Sequence, residues 1–193
     1  MALAKLNRSS AAQAGFSLIE VLVATALLAT GVLTMAGMFG LATQSNLAGR
    51  SNTFATVLAE QKLEQLRSLA WGFDIDNLPV SDQSTDTTVV PENPIGGTGL
   101  TPSADGALRE NIKGWVDHLD AYGNIIGNDE VAPNAAVYTR RWSVEPLPTN
   151  PNNTLILQVL VTRSRNRGQA DLGQVTRLAD EARVITVKTR KSQ

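Results

Sequence analysis

The chain of 193 residues contains no cysteine and a single histidine, His118. The lack of cysteine excludes a structural disulfide, a thiolate metal site and a lipid-modified cysteine. Because zinc sites need several Cys or His ligands at set spacings, we predict no metal site, and we expect His118 to lie in a surface loop or short helix. A fold of this composition depends on packing and hydrogen bonds, which is compatible with the bacterial periplasm.

A strong overall charge is also missing. The sequence has 17 Lys and Arg against 18 Asp and Glu, a net charge of −1, so nothing in the balance predicts a nucleic acid as partner. There is no Ser/His/Asp arrangement, and the stretch GGTG at Gly96–Gly99 lies between two prolines, which indicates a flexible loop and not a phosphate-binding loop. We therefore predict neither an enzyme nor a bound cofactor.

Charge is scarcest in the apolar segment 16–42, whose 27 residues include one charged side chain, Glu20. As a helix this segment would be about 40 Å long, against about 30 Å for the hydrocarbon core of a bilayer. Lys5 and Arg8 precede it and no acid does. The positive-inside bias therefore predicts a single membrane span with residues 1–15 in the cytoplasm and everything after about residue 43 on the periplasmic side.

Two ordinary explanations of this segment leave features unexplained. A cleaved secretory signal has a shorter apolar core, with small residues after it, whereas here the small residues Ala11–Gly15 come first. A plain membrane anchor explains the length of the segment but not Glu20, because an acid within a span is costly and points to a function.

Cleavage between Gly15 and Phe16 accounts for both features. The new ammonium group on Phe16 would lie one helical turn from the Glu20 carboxylate. In a bundle of such helices, Glu20 of one subunit can pair with the Phe16 ammonium of its neighbour, so that two charges that are costly alone become a pair that fixes the register of assembly.

The stretch from Gly15 to Val21, GFSLIEV, follows a short basic leader and resembles the prepilin processing site of type IV pilins and of type II secretion pseudopilins. The resemblance implies cleavage after Gly15 by a prepilin peptidase and N-methylation of Phe16 by the same enzyme. It also implies an inner-membrane protein that later reaches the pilus and cell surface, with other major and minor pilins and the inner-membrane assembly platform as partners. Many major pilins have a proline in the apolar helix, and its absence here favours a minor pilin or pseudopilin.

The helical pattern continues to Trp71, and Gly72 is a plausible C-cap residue. Glu64 and Arg67 are spaced to form an i, i+3 ion pair on the polar face. The apolar positions follow the spacing of an amphipathic helix and comprise Ala55, Leu58, Ala59, Leu63, Leu66 and Ala70.

A change of pattern divides the rest of the chain. Residues 73–136 are rich in turn formers and predict long loops with one short element at Asn111–Leu119. Three strand patterns follow, which predict an antiparallel meander packed on the apolar stripe of the helix, at Ala136–Glu145, Asn153–Ser164 and Ala182–Arg190.

These predictions agree with an α+β type IV pilin fold, in which a long N-terminal helix with a membrane-spanning first half packs on a small C-terminal antiparallel β-sheet. The stretch Val57–Trp71 and the strand succession resemble those of PilV-type minor pilins. The predicted division of the chain is a leader at 1–15, an apolar assembly segment at 16–42, an amphipathic segment at 43–72, a variable loop region at 73–136 and a sheet region at 137–193.

The function expected from this resemblance is that of a minor pilin needed for pilus initiation or assembly. A type II secretion pseudopilin is the alternative, and a pilus-tip subunit that binds DNA or a surface is a second alternative. DNA contact would fall on Arg163, Arg165 and Arg167, although no aromatic residue lies between them to stack on bases. A group of oxygen ligands could bind Ca²⁺ but does not match the EF-hand spacing, so we expect turns there; the group is Asp117, Asp120, Asn124, Asp129 and Glu130.

Overall fold

A computed structural model describes residues 15–164 and 181–190. The fold is α+β, with one long N-terminal helix packed against antiparallel sheets, consistent with the type IV pilin fold. In chain order the elements are α1 (Leu18–Ser68), β1 (Trp71–Phe73), β2 (Pro79–Ser81), β3 (Val116–Leu119), β4 (Ile125–Gly127), β5 (Tyr138–Pro146), β6 (Thr154–Arg163) and β7 (Glu181–Thr189).

The strands form a two-stranded sheet, β1–β2, and a five-stranded sheet in the order β4-β3-β5-β6-β7. Every neighbouring pair is antiparallel. The predicted meander is confirmed as β5–β6–β7, and its strand bounds differ from the predicted ones by at most two residues. Alternation of apolar and polar side chains located these strands because only one face of each packs on the core.

The chain divides into two compact units, residues 1–46 and 47–193. In the first unit the side chains of α1 are exposed, and an 18-residue window of the helix has a mean hydropathy of 2.1, enough for a membrane span. In the second unit α1 buries one stripe, which comprises Ser51, Ala55, Leu58, Ala59, Lys62, Leu63 and Leu66. The predicted stripe is thus confirmed up to Leu66, with a lysine inside it that the pattern did not indicate.

The core of the second unit joins this stripe to the inner face of the five-stranded sheet. Trp142 of β5 is fully buried there, and truncating a residue of this size typically costs about 3–5 kcal/mol. The other buried sheet residues of the cluster are Leu119, Tyr138, Val144, Leu155, Leu157, Val159, Val161 and Ala182.

The helix ends earlier than predicted, at Ser68. Gly72 is not a C-cap residue but the middle of β1. The guanidinium of Arg190 lies 3.6 Å from the ring centroid of Trp71, and Arg190 Nη1 donates to the Gly72 carbonyl at 3.0 Å. These contacts come from the far end of the chain, so a local helical pattern could not reveal them.

The prediction of long loops over 73–136 was incomplete, because β2, β3 and β4 lie in this region. β3 falls within the predicted short element at Asn111–Leu119, and its four side chains are all buried. Asp117 contacts Lys62 of α1, and His118 contacts the backbone of Asp129. β2 and β4 have three residues each, too few for alternation to be recognised.

The prediction that His118 is a surface residue was wrong. It lies in β3 with no exposed surface, and its Nε2 atom is 2.8 Å from the Asp129 carbonyl oxygen. The turn-forming residues around it suggested a loop, whereas pairing with β5 draws it into the sheet.

Candidate processing and assembly site

The N-terminal motif lies at the start of α1. Gly15, Phe16 and Ser17 are not helical, and the helix begins at Leu18. The Ser17 carbonyl accepts the N–H of Glu20 at 3.0 Å. The Phe16 side chain is 83% exposed, and a Cβ added to Gly15 would meet nothing within 4 Å. The peptide bond between Gly15 and Phe16 is therefore outside the helix and open to an enzyme.

Glu20 lies in the first turn of α1, where the positive end of the helix dipole favours a carboxylate. Its side chain is exposed. In the part of the chain that the structure describes, the Glu20 carboxylate makes no hydrogen bond or ion pair.

Other polar side chains of the apolar half are satisfied inside the helix. The Thr25 hydroxyl donates to the Val21 carbonyl at 2.9 Å, and the Thr34 hydroxyl donates to the Gly31 carbonyl at 2.8 Å. Thr30 and Thr43 make bonds of the same kind. Because lipid offers no hydrogen bonds, these threonines can lie in a membrane at little cost, whereas Glu20 cannot.

A second group of charges lies between α1 and the sheet. Asp117 Oδ2 is 3.1 Å from Lys62 Nζ and 2.7 Å from Arg140 Nη2, and Arg140 Nε donates to the same oxygen at 3.0 Å. The side chains of Lys62 and Asp117 have no exposed surface, and that of Arg140 is 6% exposed. We call these three residues the buried ion cluster.

Further hydrogen bonds tie the buried ion cluster to three parts of the fold. Lys62 Nζ donates to the Thr87 carbonyl at 2.6 Å and to its hydroxyl at 3.0 Å, and it lies 3.7 Å from the ring centroid of Trp142. Arg140 Nη1 donates to the Leu58 carbonyl at 3.1 Å. Burial lowers the pKa of Lys62 to about 8, against the opposing attraction of Asp117.

The buried ion cluster was not predicted from the sequence, although a signal was present. Lys62 follows Leu58 by four residues and precedes Leu66 by four, so it falls on the apolar stripe and not on the polar face. A charge at such a position needs a partner. The partners, Asp117 and Arg140, are distant in sequence, and only strand pairing brings them together.

The oxygen-rich group considered for Ca²⁺ is dispersed in the structure. Asp117 belongs to the buried ion cluster, Asp120 accepts the backbone N–H of Tyr122 and Asn124 in a turn, and Asp129 pairs with Lys113 at 3.0 Å. Hydrogen bonds from Asn124 lower the pKa of Asp120. Among the described residues no cluster of three or more acidic or His side chains is placed to hold a metal.

The arginines considered for DNA contact are only partly described. Arg163 ends β6 and is half-buried, while Arg165 and Arg167 lie outside the described residues, as do the leader residues Lys5 and Arg8. The prediction of a DNA contact at these three arginines therefore stays a prediction.

Comparison with protein families gives one finding. The family described as "Prokaryotic N-terminal methylation motif" matches residues 10–36, a range that contains Gly15, Phe16 and Glu20. Searches of curated proteins and of solved structures return no match. The match supports a relationship to the type IV pilin and pseudopilin family, whose members are structural proteins. It implies processing by prepilin peptidase and association with other pilins, and together with the apolar helix it suggests membrane anchoring.

Proposed function

We propose that this chain is a minor pilin, a subunit needed for the initiation or assembly of a type IV pilus. The observation that carries the proposal is the arrangement at the N-terminus. An exposed Gly15–Phe16 bond precedes the apolar half of a long helix, and the single carboxylate of that half, Glu20, has no partner in the described part of the chain. That arrangement suits cleavage followed by assembly in a bundle.

The proposal assigns a role to each residue of the motif. Gly15 is the recognition residue of the peptidase, and Phe16 becomes the methylated N-terminus. Its ammonium group pairs with Glu20 of a neighbouring subunit, which removes the cost of both charges in the membrane. Lys5 and Arg8 hold the leader in the cytoplasm before cleavage.

The same proposal divides the chain. Residues 1–15 are the leader, 16–42 the membrane and assembly segment, and 43–72 the amphipathic segment, of which the helical part ends at Ser68. Residues 73–136 form a variable region, and 137–193 the sheet region, on the periplasmic side of the inner membrane. The long connection between β2 and β3, residues 82–115, supports a minor pilin over a pseudopilin, because loops of this length usually carry specificity.

Deletion of the gene tests the proposal against its alternative. Pili sheared from the cell surface and proteins released to the medium are measured side by side in the deletion strain and in a complemented strain. Loss of pili with normal export is the result we expect. Loss of export with normal pili would replace the proposal by a type II secretion pseudopilin.

A further inference from the structure

A groove of about 800 Å³ lies on the second unit, and the sequence motifs do not account for it. Its walls are Gln61 and Gln65 of α1, the segment 88–92, and residues 123–128, which include β4. Asn128 Nδ2 donates to Thr88 Oγ1 at 2.7 Å, so two of the walls are joined by a hydrogen bond. Arg140 of the buried ion cluster also lines the groove.

The charge beside the groove is unbalanced. Lys62 and Arg140 share one carboxylate, Asp117, and no other acid lies within 4 Å of either cation among the described residues. Within 4 Å, two cations therefore share one carboxylate at a place where solvent is largely excluded. A second carboxylate, Asp86, attracts Lys62 from farther away and offsets part of this excess, while its Oδ1 atom accepts the Thr88 N–H and hydroxyl.

Arg140 has hydrogen-bonding capacity left for a ligand. Three of its N–H groups donate to Asp117 and Leu58. A guanidinium has about five such groups, so the remaining ones make no bond within the described residues. A carboxylate matches both the charge and the geometry of a guanidinium edge.

The position of the groove beside an end strand of the sheet indicates that the ligand is an extended peptide. β4 is an end strand of the five-stranded sheet, and it lines the groove along its whole length. An end strand offers unpaired backbone N–H and C=O groups, to which an extended chain can add as a further strand. Val89 and Val90 also line the groove, are exposed and provide apolar contact for its side chains.

We propose that this groove binds an extended peptide segment of another protein, which pairs with β4 and places a side-chain carboxylate on Arg140. Glu92 is the acidic side chain of the lining and is exposed. It would repel an acid-rich segment, so we expect one carboxylate at one fixed position. The inference does not depend on whether the chain joins a pilus or a secretion filament.

The test is a peptide selection on the full chain in detergent micelles. A library of random peptides with blocked C-termini is selected in parallel on the wild type and on Gln65→Trp, which fills the groove from a helix position outside the core. Peptides recovered from the wild type should contain Glu or Asp at one position above its library frequency. Replacing that acid by Gln should weaken binding about tenfold or more, because a charge-assisted hydrogen bond is lost.

Binding of the selected peptides to Glu92→Gln and to Gln65→Trp separates the effect of charge from that of the space in the groove. Glu92→Gln should strengthen binding of the selected peptides by several-fold, since the repulsion is removed. Gln65→Trp should abolish binding while the far-ultraviolet circular dichroism and the unfolding midpoint stay those of the wild type. Selected peptides without acid enrichment, or peptides that bind the wild type and Gln65→Trp equally, would overturn the proposal. Binding of free acetate with no peptide selected would also overturn the proposal, because the groove would then be a simple anion site.

Discussion

Lys62 Nζ lies 3.1 Å from Asp117 Oδ2, and neither side chain has any exposed surface. The lysine comes from α1 and the aspartate from β3, so the pair joins the helix to the sheet. Buried ion pairs add little net stability compared with apolar residues, but removing one partner is costly because it leaves an uncompensated charge. The pair therefore fixes how helix and sheet meet more than it stabilises their contact.

Asp117→Asn should lower the free energy of unfolding by about 3–5 kcal/mol, because Lys62 and Arg140 are left buried without an acid within 4 Å. Chemical denaturation of the full chain in detergent micelles, followed by tryptophan fluorescence, measures the change. The matched control is Asp129→Asn, which breaks an exposed pair with Lys113 and should change the unfolding midpoint little. Equal effects of the two substitutions would refute the role of the cluster.

Lys62 should make stability depend on pH above neutrality. Burial lowers the pKa of Lys62 from 10.5 to about 8 in the folded protein, so between these values the unfolded chain holds a proton that the native chain has lost. The free energy of unfolding should therefore rise from pH 8 to pH 10.5, by about 3 kcal/mol from this group. Below pH 8 both states are protonated and the contribution is constant.

The measurement is a set of denaturation curves across this range for the wild type and for Lys62→Met, which retains the apolar stem and the Asp117–Arg140 pair. Other groups titrate in both proteins, so the difference between the two profiles isolates Lys62. Parallel profiles would show that Lys62 keeps its ordinary pKa when folded.

Gly15→Arg should block processing, because the resemblance gives Gly15 the role of a small recognition residue. Gly15→Ala is the control. The structure leaves room for a Cβ at this position, so this variant should still be cleaved. Immunoblots of membrane fractions distinguish the precursor from the mature chain by its leader. Mature protein in the Gly15→Arg strain would contradict the assigned cut site.

Glu20→Gln should leave cleavage intact and prevent incorporation into filaments, because the Phe16 ammonium of the neighbouring subunit loses its charged partner. The measurement is the amount of this subunit in sheared filaments relative to the amount in the membrane. Glu60→Gln removes an exposed carboxylate from the same helix, beyond the apolar half, and should be incorporated normally. Wild-type incorporation of Glu20→Gln would show that the charge pair is not needed.

The helix and the last three strands could be predicted from the sequence because their signals are local. The spacing of Leu58, Leu63 and Leu66 and the alternation in β6 each report one buried face. The end of α1 could not be predicted, since Trp71 is drawn into a strand by pairing with β2 and by Arg190 from the far end of the chain.

The N-terminal motif could be located from the sequence because its residues are contiguous, and the family match covers the same positions. The buried ion cluster could not be assembled in advance. Lys62 alone is an unexpected charge on an apolar stripe, and its partner Asp117 lies in the short element predicted at Asn111–Leu119, for which the sequence indicates no pairing with β5. The burial of His118 was missed for the same reason, because β3 is a strand only through its two neighbours.

The most direct test of the central claim is the mass of the N-terminal peptide of the chain purified from its native membrane. The account predicts a peptide that begins at Phe16 and is heavier than the unmodified sequence by one methyl group. A peptide that begins before Gly15, or a mature N-terminus at any other residue, would contradict the proposed processing and the assembly role built on it.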